Sequence, residues 1–219
     1  MRLAAALSSL ALAACTSLAL PAVAAEEPWT LLPAVDPANP PAARDVPMHP
    51  APGGFALAVR DGQWSLVPAH IVGSFVTFNG KGSVAFEATP SDALLYLHVP
   101  GLVAGKVDTP DMRFKGVSRL LASPALTIVF KGTVWRLGTK DERLALWSGA
   151  RQQALGEATD DESMRQNHLA WAGDLDRDGQ LDVIIRTTRE GAPTWCLWLS
   201  GRAVAPEVVG KAGCMAESP

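Results

Sequence analysis

The 219-residue chain has few histidines, few clustered charges and few cysteines, and each shortage excludes a class of protein. Its four histidines, His49, His70, His98 and His168, are far apart and lack the spacing of zinc ligands. The 19 basic residues form no cluster and the net charge is −3, so we expect no nucleic-acid partner. Beyond the N-terminus, no apolar run reaches the roughly 20 residues of a membrane-spanning helix.

Motifs of common enzyme classes are also missing. The chain contains no Gly-x-Ser-x-Gly elbow, no glycine-rich phosphate loop and no Cys-x-x-Cys pair. Nucleophilic hydrolysis, nucleotide binding and thiol redox chemistry therefore have no support in the sequence, and no catalytic residue is predicted.

Glycine and proline are plentiful, with 19 and 17 residues scattered among short apolar runs, which favours strands joined by turns. The clearest hairpin is Phe55–Arg60, then Asp61-Gly62, then residues 63–67, because Asp-Gly supplies the positive φ of a tight turn. Polar residues 152–165 are expected to be a loop or short helix. The prediction is a mainly β fold of antiparallel sheets, sandwich-like or a meander, over residues 55–219.

The N-terminus reads as an export signal. Arg2 precedes an apolar stretch and a run of small residues ending at Ala25, which predicts a signal peptide over residues 1–25. Within it, the segment ending at Cys15 resembles a bacterial lipobox, so lipidation of Cys15 is the alternative to simple cleavage. The protein is then periplasmic or secreted, or an outer-membrane lipoprotein with a lipid anchor at Cys15. Residues 26–54 are rich in Pro and Ala and are expected to be an arm or linker.

Two cysteines remain after either kind of processing. Cys196 and Cys214 would then lie in an oxidising compartment, where an even pair is expected to form a disulfide. The alternative is a pair of buried free thiols.

One acidic loop carries the only recognisable chemistry. Four aspartates stand at loop positions one, three, five and nine, with Gly179 at position six for the sharp turn. Calcium takes six to eight oxygen ligands, whereas magnesium demands a near-ideal octahedron, so this spacing favours calcium. The alternative is a solvated acidic turn without a metal. The predicted calcium ligands are the side chains of Asp174, Asp176, Asp178 and Asp182 and the backbone carbonyl of Gln180.

The loop departs from an EF-hand, because Ile185 stands where that motif has a glutamate and the flanks are β-rich. We therefore expect strand, loop, strand. Residues 173–185 resemble the calcium loops of FG-GAP and VCBS-type repeats, whose consensus is Gly-Asp-Leu-Asp-x-Asp-Gly-x-x-Asp followed by an aliphatic strand. The resemblance implies a calcium ion at the surface of a β-sheet. The loop occurs once, and the C-terminal stretch resembles that of exported bacterial proteins carrying a single such loop.

Together these features predict an exported, non-enzymatic, calcium-binding β module with a structural or partner-binding role in the cell envelope. Its partner would be a protein or a glycan. The alternative is a hydrolase of carbohydrate or peptidoglycan with a structural calcium, for which a cleft with two carboxylates about 5–9 Å apart outside the loop would be needed. Of Trp195 and Trp198, on opposite faces of one strand, we expect one in the core and one at the surface.

Overall fold

The computed structural model describes residues 31–33, 54–78, 81–111, 119–120, 125–141, 143–157, 165–189 and 192–216. Over these ranges the chain forms sixteen strands and one short 3-10 turn, with no α-helix, and every strand pairing is antiparallel. The mainly β, antiparallel fold predicted from the sequence is confirmed. No helix in the described part of the chain is long and apolar enough to cross a membrane.

The strands form three larger sheets and one ribbon. The N-terminal sheet contains, in spatial order, β1 (Leu31–Pro33), β6 (Leu95–Leu97), β2 (Phe55–Arg60), β3 (Gln63–Pro68) and β7 (Gly105–Lys106). The four-stranded sheet contains β12 (Arg151–Glu157), β11 (Arg143–Ser148), β10 (Thr133–Lys140) and β9 (Leu126–Phe130). The middle sheet contains β16 (Gly210–Ala216), β15 (Ala192–Leu199), β14 (Asp182–Arg189), β13 (Arg165–Gly173) and β8 (Arg119–Leu120). The ribbon pairs β4 (His70–Phe78) with β5 (Lys81–Thr89).

The middle sheet is covered on both faces, which explains the continuous apolar run in β14. Val183 and Ile185 belong to a core shared with the four-stranded sheet, whereas Ile184 belongs to a core shared with the N-terminal sheet. Successive strand residues point to opposite faces, so a strand between two layers must be apolar at every position. The molecule is thus a three-layer β structure.

Both tryptophans of β15 are buried, which corrects the expectation that one of them reaches the surface. Trp195 packs in the core shared with the N-terminal sheet, and Trp198 in the core shared with the four-stranded sheet. They do lie on opposite faces, as their odd spacing predicts. Neither is at the surface, because each face of the middle sheet has a neighbouring layer.

Residues 151–157 form a strand, so the expectation of a loop or short helix is wrong for this part of the segment. The strand β12 pairs with β11 from Ser148↔Arg151 to Arg143↔Glu157. It is held at the middle sheet by Gln153, whose amide group donates to the carbonyl of Val209 and accepts from the backbone N–H of Val208 and Val209. Its polarity reflects its place at the edge of the sheet.

Two local predictions are confirmed. In the turn between β2 and β3, Asp61 and Gly62 both have positive φ, 50° and 76°. Cys196 and Cys214 form a disulfide between directly opposed positions of β15 and β16.

Other predictions concern residues that the structure does not describe. The signal peptide and Cys15 lie outside the described residues, as does most of the arm. Within the arm segment, Leu31–Pro33 form β1 beside β6, and Leu31 is buried in the core of the N-terminal sheet.

Candidate metal site

The acidic loop lies between two adjacent strands of the middle sheet. β13 ends at Gly173, the loop runs through residues 174–181, and β14 begins at Asp182, opposite Gly173. The strand, loop, strand arrangement predicted from the sequence is present. Leu175 packs in the core on one side of the sheet and Leu181 in the core on the other, and both are fully buried. These two anchors hold the ends of the loop while the intervening polar residues face one another.

Three of the four predicted carboxylates converge. Oxygen atoms of Asp174, Asp176 and Asp182 all lie within 4.8 Å of one another. Asp178 is exposed and does not belong to this triad, although its Oδ1 accepts a hydrogen bond from the backbone N–H of Gln180 (2.7 Å) and lies 2.9 Å from the Ser200 hydroxyl, whose single proton it shares with Asp182. The turn at Gly179 has a φ of 86°, in keeping with the glycine expected at this position.

Asp174 contributes the most unusual atom of the site. Its exposed fraction is 4%, and its Oδ1 is buried without a hydrogen-bond partner among the described residues. The other oxygen, Oδ2, accepts from the Gly179 amide at 3.1 Å and from Lys131 Nζ at 2.8 Å. A buried carboxylate oxygen without a partner carries a desolvation cost that a cation would offset.

Asp182 is completely buried and organises the loop. Its Oδ2 accepts from the backbone N–H of Leu175 at 2.6 Å and of Asp176 at 3.3 Å. Its Oδ1 accepts from the amide and the hydroxyl of Ser200 at 2.7 and 2.8 Å. Burial and, to a smaller extent, the charge of Asp176 raise the pKa of Asp182 to about 7, although the hydrogen bonds from Ser200 and Leu175 act in the opposite direction.

Asp176 is partly buried, and its environment also disfavours its charge. Burial raises the pKa of Asp176, and the neighbouring charge of Asp178 acts in the same direction. The backbone N–H of Gly201 donates to its Oδ2 at 3.0 Å. Burial and the repulsion between neighbouring carboxylates therefore disfavour the charged forms of both Asp176 and Asp182.

Four residues of the site were missed by reasoning from the sequence. Ser200 and Gly201 belong to the 3-10 turn after β15, and they donate to three of the four loop aspartates. Lys131 Nζ binds both Asp174 Oδ2 and Asp108 Oδ2 at 2.8 Å. The backbone N–H of Asp174 donates to the carbonyl of Asp108 at 2.9 Å. No local pattern signals these contacts, because the partners are distant in the sequence.

An open cleft of about 650 Å³ lies beside the loop. Its walls include Gly105, Lys106, Asp108, Lys131, Asp174, Arg177, Asp178 and Gly179. Arg177 is fixed there by hydrogen bonds to the carbonyls of Val103 and Ala104. Among the described residues, Asp108 is the only one outside the acidic loop that contributes a carboxylate to the cleft. The cleft therefore gives an ion access to the loop from solvent.

The donor set fits a hard divalent cation. Carboxylate oxygens of Asp182, at the start of β14, and of the loop residues Asp174 and Asp176 converge, and calcium binds six to eight oxygen ligands of this kind. Asp174, Asp176 and Asp182 would hold the ion, with Asp178 and the Gln180 carbonyl as the additional ligands predicted from the loop spacing.

Comparison with known proteins yields no relative: no protein-family model matches the chain, and no curated protein or solved structure is similar to it. The likeness to FG-GAP and VCBS-type loops remains a prediction from residues 173–185.

Proposed function

We propose that this chain is an exported calcium-binding β module in which calcium stabilises the middle sheet. The observation that carries the proposal is the buried Oδ1 of Asp174, which has no hydrogen-bond partner in the described part of the chain and lies beside the carboxylates of Asp176 and Asp182. Asp174 and Asp182 are both buried and close together, so keeping both of them ionised costs free energy. A divalent cation between them would replace their mutual repulsion by attraction to the cation.

The ion would act as a clamp because the loop joins parts of the chain that are distant in sequence. The aspartates contact the turn at Ser200 and Gly201 and the side chain of Lys131. A cation that pulls the carboxylates together therefore also secures β13, β14 and the end of β15. The physiological role that follows is that of a structural or partner-binding module of the cell envelope, with a protein or glycan as partner.

Export is part of the same proposal. The disulfide between Cys196 and Cys214 supports it, because such bonds persist in oxidising compartments. Calcium sites in extracellular modules typically have dissociation constants of about 0.1–1 mM, which suits a compartment where calcium is abundant. We propose that the signal peptide is cleaved after residue 24 or 25, and the alternative is lipidation at Cys15. Mass spectrometry of the protein purified from its host distinguishes the two.

Calcium titration by calorimetry tests the central claim. We expect one ion per chain and a melting temperature that rises with calcium concentration, because a ligand that binds only the folded state stabilises it by mass action. Asp176→Asn should abolish most of the binding while the metal-free variant melts near the wild type, since it removes one partly buried charge. Asp61→Asn is the matched control, because Asp61 is exposed in a turn far from the loop in sequence and asparagine tolerates its positive φ.

The proposal fails if the wild type releases no heat with calcium and melts at the same temperature with calcium and with chelator. It also fails if Asp176→Asn binds calcium as tightly as Asp61→Asn does.

A further inference from the structure

Lys131 holds a fixed position between two carboxylates, one of which belongs to the acidic loop. Its Nζ lies 2.8 Å from Asp108 Oδ2 and 2.8 Å from Asp174 Oδ2. The residue sits in the two-residue turn between β9 and β10, where Lys131 and Gly132 have φ values of 45° and 79°. Its ammonium also lies 5.3 Å from the ring centre of Phe130. Turn geometry and three contacts thus aim this side chain at the loop.

The ammonium group is a permanent positive charge at the rim of the site. A lysine side chain is positively charged at neutral pH, and two ion pairs hold this charge 2.8 Å from a carboxylate oxygen of Asp108 and 2.8 Å from one of Asp174. A calcium ion bound through Asp174 Oδ1 would share this carboxylate with the ammonium on Oδ2. Two cations on one carboxylate repel each other, and each weakens the hold of the carboxylate on the other.

We propose that Lys131 is a built-in counter-ion of the acidic loop: it neutralises Asp174 when the metal is absent and lowers the affinity of the loop for calcium. This inference rests on the calcium-binding function proposed above. The ion pair offsets part of the cost of burying the charge of Asp174. The repulsion between Lys131 and calcium also lowers the affinity of the loop for calcium toward the weaker range, which suits a compartment rich in calcium.

Asp108 has the opposite effect in this arrangement. Its side chain is 69% exposed and touches the loop through Lys131, whose charge it partly cancels. Without the Asp108 carboxylate, the full charge of Lys131 would act on the metal. Asp108 therefore favours calcium binding although the geometry does not require it as a ligand.

The experiment measures calcium affinity by calorimetry and metal-free stability by thermal melting, on the full mature chain. Lys131→Met removes the charge and leaves an unbranched side chain that is one atom shorter, and we expect about tenfold tighter calcium binding, as removal of one like charge near a divalent ion predicts. The same variant should melt at a lower temperature than the wild type in chelator. Lys131→Arg keeps the charge and should bind calcium as the wild type does.

Lys106→Met is the matched control, because Lys106 is exposed and lines the same cleft but forms no ion pair with a described residue. It should change affinity by much less than Lys131→Met. Asp108→Asn should weaken calcium binding several-fold, opposite in sign to Lys131→Met.

The inference is overturned if Lys131→Met binds calcium as tightly as the wild type or more weakly. It is also overturned if the melting temperature of this variant in chelator equals that of the wild type. Tighter calcium binding by Asp108→Asn would overturn it too, and this variant alters a side chain that is 69% exposed. A wild type that binds no calcium instead defeats the function proposed above, so the two failures are distinguishable.

Discussion

Asp182 Oδ1 accepts two hydrogen bonds from one residue, the backbone N–H of Ser200 at 2.7 Å and its hydroxyl at 2.8 Å, across 18 residues of sequence. The same hydroxyl lies 2.9 Å from Asp178 Oδ1. A single serine thus joins the first residue of β14 and the outer part of the acidic loop to the turn that follows β15. This contact connects the candidate metal site to the end of the middle sheet.

Ser200→Ala tests the contribution of the hydroxyl. The variant keeps the amide hydrogen bond but leaves a buried carboxylate with one donor fewer, and hydrogen bonds to charged groups contribute about 1.5–3 kcal/mol. We expect the free energy of unfolding in chelator to fall by about that amount in urea denaturation. Ser91→Ala, at an exposed turn, serves as the control and should leave the midpoint unchanged. Equal midpoints for the two variants would show that the hydroxyl does not stabilise the loop.

The sequence was informative wherever the determining interactions are local. Period-two patterning, the Asp61-Gly62 turn and the spacing of aspartates between Asp174 and Asp182 each depend on neighbours within about ten residues. For this reason, the hairpin of β2 and β3 and the strand, loop, strand unit were predicted correctly.

The rest of the site depends on how the sheets stack. Lys131 reaches Asp174 from a turn 43 residues earlier, and Ser200 reaches Asp182 from the end of a different strand. Nothing in the local sequence says which turn will face which loop. The same limit applies to Trp195 and Trp198, because the pattern of β15 shows two apolar faces but not that a layer covers each of them.

Calcium binding should depend steeply on pH through Asp182. Its pKa of about 7 in the folded chain lies above the value of about 4 for a solvated aspartate. Between these pH values the folded chain binds more protons than the unfolded chain, so this group makes the metal-free protein less stable as the pH rises. Calcium needs the ionised carboxylate and must displace that proton. The calcium-induced rise in melting temperature should therefore be small near pH 5 and large near pH 8.

Scanning calorimetry at several pH values, with calcium and with chelator, measures this difference directly. Asp61→Asn is again a suitable control and should reproduce the wild-type profile. If calcium raises the melting temperature equally near pH 5 and near pH 8, calcium binding does not depend on the ionisation of Asp182.

The disulfide should stabilise the middle sheet independently of calcium. Cys196 and Cys214 close a loop of 18 residues between β15 and β16, and restricting the unfolded chain in this way contributes roughly 3 kcal/mol in the chain-entropy account. The double variant Cys196→Ala/Cys214→Ala should therefore unfold at lower urea with the free energy reduced by about 3 kcal/mol or less. Its calcium affinity should be unchanged, because neither cysteine contacts the aspartates and the bond mainly destabilises the unfolded state. A large loss of calcium affinity in a variant that still folds would mean that the disulfide also sets the geometry of the turn at Ser200.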